Sequence, residues 1–294
     1  MKHLMRIFCL FVICLNAEAR KYDDVIASGY ISIAVYSDFA PYSYREGGIA
    51  KGIDIEVGKE IAKRLGVRPQ WFWVTADETL DDDLRNAVWK GHYLGGGVAD
   101  VMLRVPYDKA FANKVDGYGQ LQNEFVVLLG PYQQERWSVA RNTQRLPTLN
   151  NLAPLQYEKV GVEVDSVPDL ILTSTLGGRL VNSVVHYVTL MQAIDALESN
   201  KLAAVVGMRG PLEWRLNRPT TNNETNTFAI ADDSIVQWPH RQWDIGVAIK
   251  HSYRQLGYAL EAEIESMVKK GVMKSIFQQY HMSYERPALY LPQQ

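Results

Sequence analysis

The stretch YISIAVYSDFAPYSYREGGIAKGIDIEVGKEIAKRLG, residues 30–66, decides the fold of this chain. Its first seven residues alternate and are rich in β-branched and aromatic side chains, which predicts a strand over residues 30–36. Towards its end, apolar residues recur at helical spacing from Ile53 to Leu65, and Gly66 closes the pattern. The stretch therefore predicts a strand, a loop and a helix in that order.

Strands and helices continue to alternate after this stretch. The sequence predicts a strand over residues 71–74, a helix that opens at residues 81–83 and runs to residue 91, and a third strand over residues 98–103. An alternation of this kind favours a parallel sheet with helices on both of its faces. The fold class predicted for the chain is therefore α/β.

A second α/β pattern follows in the other half of the chain. Between the two patterns, a predicted strand at residues 125–129 is followed by a polar segment, residues 130–151, which we expect to be a crossover. The predicted later strands cover residues 159–164, 184–188, 202–208 and 242–250, the first three with helices between them, and two closing helices end the pattern. Two similar lobes predict a cleft between them, and clefts between domains favour small-molecule binding.

The composition and the amino-terminal residues limit the class of protein that this chain can be. The chain has 294 residues, 47% of them hydrophobic, and a formal net charge of -2, so it is globular and lacks the basic surface that nucleic acid requires. Lys2 and Arg6 precede an apolar run over residues 7–15 and the small-residue site Ala17-Glu18-Ala19, which predicts a cleavable signal peptide and a periplasmic protein. The run is too short for the roughly 20 residues of a membrane anchor.

The predicted organisation follows from these patterns. Residues 1–19 form the signal peptide, residues 20–130 the first part of lobe 1, and residues 131–235 lobe 2 with the crossover. Residues 236–294 supply a return strand and the C-terminal helices that complete the lobes.

Arg104 directly follows the third predicted strand. The carboxyl ends of parallel strands border the crevice in which ligands bind, and a guanidinium there can hold a carboxylate by two parallel hydrogen bonds. The alternative is a surface ion pair of Arg104 with Asp100 or Asp108. Arg209, after a strand of the second pattern, supports the same two interpretations.

Further candidate contacts lie in two loops. Phe39 and Tyr42 could stack on a ligand, although Tyr42 could equally alternate along a short packed strand. Asp165 or Ser166 is expected to cap a helix, and the free amides at that helix start, near Ser166, could also receive an anion.

Metal, cofactor and catalytic sites are not expected. The acidic residues between 77 and 83 lack the spacing of a calcium loop and fit the first turn of a helix, whose dipole they complement. The histidines show no paired zinc spacing, and both cysteines, Cys9 and Cys14, lie within the predicted signal peptide. Asp38 and Glu163 are the two carboxylates considered for an enzyme, and we expect binding rather than catalysis.

Residues 37–66, SDFAPYSYREGGIAKGIDIEVGKEIAKRLG, resemble the opening of the periplasmic solute-binding proteins of the polar amino acid type, family 3. The later stretches KVGVEVDSVPD, LMQAIDALESNKLAAVVG and WDIGVAIKHS are similar to that family's second lobe. The resemblance covers about residues 28–282 and implies a two-lobed type II periplasmic binding fold, each lobe a β-sheet flanked by helices. It also places Phe39 at an aromatic wall of the cleft.

The sequence departs from the family pattern at the positions that contact an amino acid. Arg104 stands where a small residue is usual, and Met208 and Arg209 stand where the family's ammonium-binding aspartate is expected. A ligand ammonium facing Arg209 would lose a partner and gain repulsion, so the departures favour an anion or a polyol. The ligand-binding residues predicted on these grounds are Asp38, Phe39, Tyr42, Arg104, Ser166, Met208 and Arg209.

The function predicted is that of a monomeric receptor that closes on a small polar or anionic solute and docks on a permease of ABC-type uptake. A short match, DVMLRVP, resembles a turn of the solute-binding-like proteins encoded beside quinoprotein alcohol dehydrogenases. The alternative function is therefore an accessory protein that interacts with a periplasmic dehydrogenase.

Overall fold

A computed structural model of the chain describes residues 19–218, 227–231, 238 and 240–291. The strands are β1 (Tyr30–Tyr36), β2 (Tyr44–Glu46), β3 (Ile49–Lys51), β4 (Arg68–Val74), β5 (Val101–Pro106), β6 (Val126–Asn142), β7 (Val160–Glu163), β8 (Val184–Tyr187), β9 (Ala204–Met208), β10 (Phe228–Ile230) and β11 (Gln242–Lys250). The α-helices are α1 (Tyr22–Ser28), α2 (Ile53–Arg64), α3 (Leu80–Leu84), α4 (Lys109–Ala112), α5 (Val167–Ser174), α6 (Leu190–Glu198), α7 (Arg209–Leu216), α8 (Arg254–Lys269) and α9 (Val272–Gln279).

One long sheet joins the two α/β patterns. Its strands follow the order β4-β1-β5-β11-β6-β9-β7-β8, and β10 pairs with β6. Strands β1, β4 and β5 are parallel to one another, as are β7, β8 and β9, whereas β11 and β6 run antiparallel to their neighbours. We call the half containing β4, β1, β5 and β11 the first lobe, and the half containing β9, β7, β8 and β10 the second lobe.

Strand β6 connects the two lobes, and here the sequence-based prediction was wrong. The predicted strand stopped at residue 129, but β6 runs without a break for 17 residues from Val126 to Asn142. Its first part pairs with β11, and its second part, from Trp137 onward, pairs with β9. Polar side chains inside it have partners in other elements: Gln133 accepts from Arg104 of β5, Gln134 donates to Asp244 of β11, and Glu135 accepts from Tyr42.

Helices cover both faces of the sheet in the first lobe, which confirms the predicted α/β class. One face buries Ile33, Val57 and Leu260 in a cluster that joins β1 to α2 and α8. The opposite face buries Leu84 and Met102 with their neighbours. The second lobe has two such clusters of its own. Burial on both faces explains why its strands carry continuous apolar runs.

Most predicted strands and helices are confirmed within two or three residues. Three of the described α-helices were missed: α1, which precedes the first strand, the short α4, and α7, which begins at Arg209 directly after β9. The helix predicted to open at residues 81–83 begins at Leu80, and it continues as a single π-helical turn over residues 85–89. Thr79 caps it by accepting a hydrogen bond from the amide of Asp82.

Strand β5 also differs from its prediction, and the difference concerns Arg104. The strand spans Val101–Pro106, so Arg104 lies inside it and not at its end. The pairing with β11 passes from Leu103 directly to Val105, and Arg104 takes a φ of 60°. Arg104 is therefore the extra residue of a β-bulge, a feature that re-aims a side chain out of the regular alternation.

Two predictions involve residues that the structure does not describe. The predicted signal peptide lies, up to residue 18, outside the described residues. None of the helices that the structure describes has the length and hydropathy of a membrane span. The predicted lobe boundaries stay a prediction, since β6 crosses residue 130 and residue 235 is not described.

Candidate functional site

A cavity of about 360 Å³ lies where the strand ends of the two lobes meet. Its walls come from the first lobe, including β11, from the connecting strand β6, and from Met208 at the end of β9. The lining residues are Tyr36, Ser37, Phe39, Ala76, Leu80, Arg104, Pro106, Glu135, Met208, Trp243 and Ile245. This position, beyond the carboxyl ends of parallel strands, is where α/β sheets bind ligands.

The walls are mainly aromatic and aliphatic. Tyr36 and Phe39 meet edge to face with ring centroids 5.9 Å apart, and Phe39 lies 5.3 Å from Tyr42. The hydroxyl of Tyr36 donates a 2.7 Å hydrogen bond to Asp83, so this polar tip is already satisfied inside the first lobe. Burial raises the pKa of Tyr36, and the charge of Asp83 raises it further. Tyr36 therefore serves the cavity as a neutral aromatic surface.

Arg104 is the cation of the cavity wall, and Asp54 neutralises it. Arg104 Nε and Nη2 both donate to the carboxylate of Asp54, and Nη2 also donates to Gln133 Oε1 at 2.9 Å. Its guanidinium carbon lies 3.4 Å from the ring centroid of Tyr42, a cation–π contact. Burial lowers the pKa of Arg104, but the charge of Asp54, its hydrogen bonds and the neighbouring tyrosines together outweigh burial, so the pKa is raised. Arg104 is therefore permanently charged and permanently paired.

The bulge and the helix start explain how this pair forms. The backbone amide of Arg104, displaced from the ladder, donates to the hydroxyl of Tyr132, whose own proton goes to Asp54 Oδ1 at 2.8 Å. Asp54 is the second residue of α2, where the helix dipole favours a negative charge. Side chain and backbone of Arg104 are thus both held by buried groups.

Glu135 is the carboxylate of the cavity wall, and it too has internal partners. It accepts hydrogen bonds from the hydroxyl of Tyr42, from Gln133 Nε2 at 3.2 Å and from the amide of Arg136 at 2.9 Å. The amide of Gly210, at the start of α7, donates to it as well. Burial raises the pKa of Glu135, and these donors oppose the rise without cancelling it.

These side chains form one buried unit, which we call the Arg104 network. Each member is less than a tenth exposed. Its members are Tyr42, Asp54, Arg104, Tyr132, Gln133 and Glu135.

Sequence reasoning missed four members of this network, Asp54, Tyr132, Gln133 and Glu135. Two signals were available. Asp54 is an acidic residue between the apolar Ile53 and Ile55 of an amphipathic helix, and Gln133 and Glu135 lie two residues apart, on one face of a strand. Reading residues 130–151 as a crossover concealed the second signal.

Arg209 does not reach the cavity, which corrects its predicted position. Arg209 Nε donates to Glu213 at 2.6 Å, four residues along α7, and Nη1 donates to Glu285 at 3.0 Å. Glu285 also forms an ion pair with Arg136 of β6. Arg209 therefore joins α7 to the C-terminal segment.

The surface alternatives considered for Arg104 were also wrong. Asp100 forms an ion pair with Arg20 at 2.6 Å, and Asp108 accepts hydrogen bonds from the first amides of α4. The true partner, Asp54, lies 50 positions away in the chain.

The remaining predicted residues divide into two groups. Phe39, Arg104 and Met208 line the cavity together, and Tyr42 is fully buried behind them under the guanidinium. Asp38 is exposed in its loop and does not line the cavity.

Ser166 also lies away from the cavity. It caps α5, accepting from the amide of Asp169 at 3.3 Å and donating to Glu163 O at 2.6 Å. The capping role expected for Ser166 is therefore present.

Metal ligation has no cluster to support it in the described ranges. No group of three or more histidine, cysteine or acidic side chains is arranged there to hold an ion.

The chain has the fold of the two-lobed periplasmic binding proteins. The structure matches an ancestral cationic amino acid solute-binding protein with a TM-score of 0.67, at 15% identity, over 88% of this chain and 99% of the other. It matches an amino acid ABC transporter substrate-binding protein of Streptococcus pneumoniae, bound to L-arginine, with a TM-score of 0.58, at 20% identity, over 88% and 97% of the two chains.

The family comparison agrees with the fold. Residues 31–87 match the model of the bacterial extracellular solute-binding proteins, family 3, which confirms the resemblance predicted from the sequence. A curated relative, cyclohexadienyl dehydratase of Pseudomonas aeruginosa, is 33% identical over 73 residues. That alignment spans 23% of this chain and 27% of the relative.

Proposed function

We propose that this chain is a receptor whose two lobes close on a small organic solute and deliver it to an ABC-type permease outside the cytoplasm. The observation that carries the proposal is the cavity of about 360 Å³ whose wall combines first-lobe residues such as Phe39 with Met208 of the second lobe. A ligand that touches both lobes gains contacts only when they approach, so binding favours the closed state. The predicted export and a monomeric state complete this proposal.

The solute class expected from the sequence was polar or anionic, on the assumption that Arg104 and Arg209 are available to a ligand. In the structure, Asp54 pairs with Arg104, and Glu213 and Glu285 pair with Arg209. This pairing removes the argument for an anion. A role as partner of a quinoprotein dehydrogenase stays a prediction that no comparison supports.

The carboxylates near the cavity favour a binding function without catalysis. The curated relative is named as a dehydratase, so we asked whether a carboxylate of this cavity could act as a catalytic acid or base. Asp38 and Glu163, the two candidates considered from the sequence, do not line the cavity. Glu135 does line it, but its oxygens accept hydrogen bonds from Tyr42, Gln133 and two backbone amides. A general acid or base needs an oxygen that can approach the substrate.

A thermal-shift screen of sugars, alcohols, organic acids and amino acids tests the receptor function. A bound solute at 100 times its dissociation constant stabilises the folded state by about 2.7 kcal/mol. Phe39→Ala removes a cavity wall, and we expect it to abolish the shift given by any hit. Phe125→Ala is the matched control, because Phe125 stacks on Trp89 and lines no part of the cavity.

Small-angle scattering of the same samples measures closure. A hit is expected to reduce the radius of gyration of the wild-type protein and of Phe125→Ala. A screen without hits, or a hit whose shift survives Phe39→Ala unchanged, contradicts the proposed receptor site.

A further inference from the structure

The charges of the cavity wall decide which solutes it can accept. Arg104 and Glu135 are the two ionisable lining residues besides Tyr36, and both belong to the Arg104 network. With Asp54 included, the network carries one cation and two carboxylates, so its net charge is -1, or zero when Glu135 is protonated. It offers no excess positive charge in either state.

An anionic solute would find the guanidinium of Arg104 already paired with Asp54. The Nε and Nη2 positions that would hold a carboxylate side-on already hold Asp54, and Nη2 also serves Gln133. A second carboxylate would share Arg104 with Asp54 and, when Glu135 is ionised, would face its negative charge as well. Like charges at such a site destabilise one another.

A solute with an ammonium group meets an occupied carboxylate. Glu135 accepts from the Tyr42 hydroxyl, the Gln133 amide and the backbone amides of Arg136 and Gly210. An ammonium that leaves water needs a carboxylate able to turn towards it. Releasing Glu135 for that purpose would leave several buried donors without an acceptor, which is costly.

One nitrogen of the Arg104 guanidinium stays open at the cavity wall. Nη1 of Arg104 has no hydrogen-bond partner among the residues that the structure describes, whereas Nε and Nη2 do. A guanidinium N–H donates to any oxygen, so a hydroxyl or carbonyl oxygen satisfies it without adding a charge. The surrounding surface, formed by Phe39, Met208 and Trp243, suits an aromatic or branched aliphatic body.

We infer that the solute is an uncharged small molecule with an aromatic or branched aliphatic body and a hydroxyl or carbonyl oxygen that accepts from Arg104. This inference rests on the proposed receptor function and names the ligand class of the same cavity. It separates this chain from its arginine-bound structural neighbour in the kind of solute taken.

Four probes that share one ring and differ in charge test the inference by titration calorimetry. They are benzyl alcohol, benzoate, benzylammonium and phenylalanine. We expect benzyl alcohol to bind at least tenfold more tightly than each of the other three, because the ring contacts are common and only the charge differs. Benzoate or phenylalanine binding as tightly as benzyl alcohol overturns the inference.

A variant that adds a charge inside the cavity tests the location. Met208→Lys places an ammonium on the cavity wall, and we expect benzoate to bind it at least tenfold more tightly than it binds the wild type. Val188→Lys is the matched control, since Val188 is exposed and lies outside the cavity. The same gain in both variants, or a gain in neither, overturns the assignment.

The failure of this inference is distinct from the failure of the receptor function. If the four ring probes do not bind while an amino acid, sugar or organic acid in the thermal-shift screen does, the ligand class is wrong and the receptor function stands. If no compound of either set binds, both are wrong.

Discussion

Arg104 combines a strained backbone, a buried charge and a position on the cavity wall. Its φ of 60° is unfavourable for a residue with a side chain, and its guanidinium lies 6% exposed. Asp54 offsets the burial of the charge, and the hydroxyl of Tyr132 satisfies the displaced amide. At the scale of the residue, Arg104 is a structural cation that leaves a single nitrogen open.

Asp54→Asn tests this role of the pair. The substitution keeps the shape of the side chain and removes its charge, so Arg104 stays buried without a counter-ion. We expect the free energy of unfolding to fall by about 3 to 5 kcal/mol, as for other broken buried pairs. Urea denaturation measures it, and Asp38→Asn, at an exposed site, is the control with a change within about 0.5 kcal/mol. Equal effects in the two variants would show that the pair contributes nothing.

The raised pKa of Glu135 predicts that the stability of the protein depends on pH. Burial raises the pKa of Glu135 above its usual value, so the folded state holds the proton more tightly than the unfolded state does. Between the usual value, about 4.3, and the raised value, stability therefore falls as pH rises. In Glu135→Gln this contribution is absent. We expect the stability of the wild type relative to Glu135→Gln to decrease with rising pH above about 4.3, measured by urea denaturation.

A constant difference between the two proteins across that range would contradict the raised pKa. Asp38→Asn serves again as control, because its side chain is exposed and outside the network.

The close packing of strands β11 and β6 positions the residues of the Arg104 network. Gly246 of β11 lies at the register shift opposite both β5 and β6, next to the bulge at Arg104. A methyl group on Gly246 would lie 2.6 Å from the carbonyl oxygen of Leu129, a backbone atom of β6. The close approach of the two strands at this point requires a residue without a side chain.

Gly246→Ala is therefore expected to destabilise the protein by about 1 to 3 kcal/mol, because backbone must move to admit the methyl group. Thermal or urea unfolding measures the change. Gly117→Ala is the matched control, since nothing lies within 4 Å of its added methyl group. A Gly246→Ala protein as stable as the Gly117→Ala protein would argue against the close packing.

At the scale of the whole molecule, contacts far apart in the chain join the two lobes. Glu285, near the carboxyl end, forms ion pairs with Arg136 of the connecting strand and with Arg209 of α7. The amide and hydroxyl of Ser283 also donate to Glu213 of α7. The C-terminal segment thus fixes the second lobe's α7 against the strand that joins the lobes.

Glu285→Ala tests this tether. It removes the shared partner of two arginines at a site 20% exposed, and we expect a loss of about 1 to 2 kcal/mol in the free energy of unfolding. Glu265→Ala is the control, because it breaks a single exposed pair with Lys269 and is expected to cost less than about 0.5 kcal/mol. Chemical denaturation measures the free energy of unfolding of both variants. Equal losses would show that Glu285 contributes no more than an ordinary surface ion pair.

The sequence by itself determined the α/β class, the two-lobed pattern, most strands and helices, and the resemblance to family 3. These features depend on local periodicity and on the order of segments, which a chain carries in its own residues. Phe39, Arg104 and Met208, which the sequence offered as separate candidate contacts, line one cavity in the structure.

The roles of the individual residues follow from contacts that form on folding. Asp54 and Arg104 are 50 positions apart, Tyr42 and Glu135 are 93 apart, and Arg209 and Glu285 are 76 apart. The bulge in β5 and the length of β6 likewise follow from pairing between strands distant in sequence. Whether a charged side chain is open to a ligand depends on which opposite charge lies within hydrogen-bond distance, and folding alone creates that proximity.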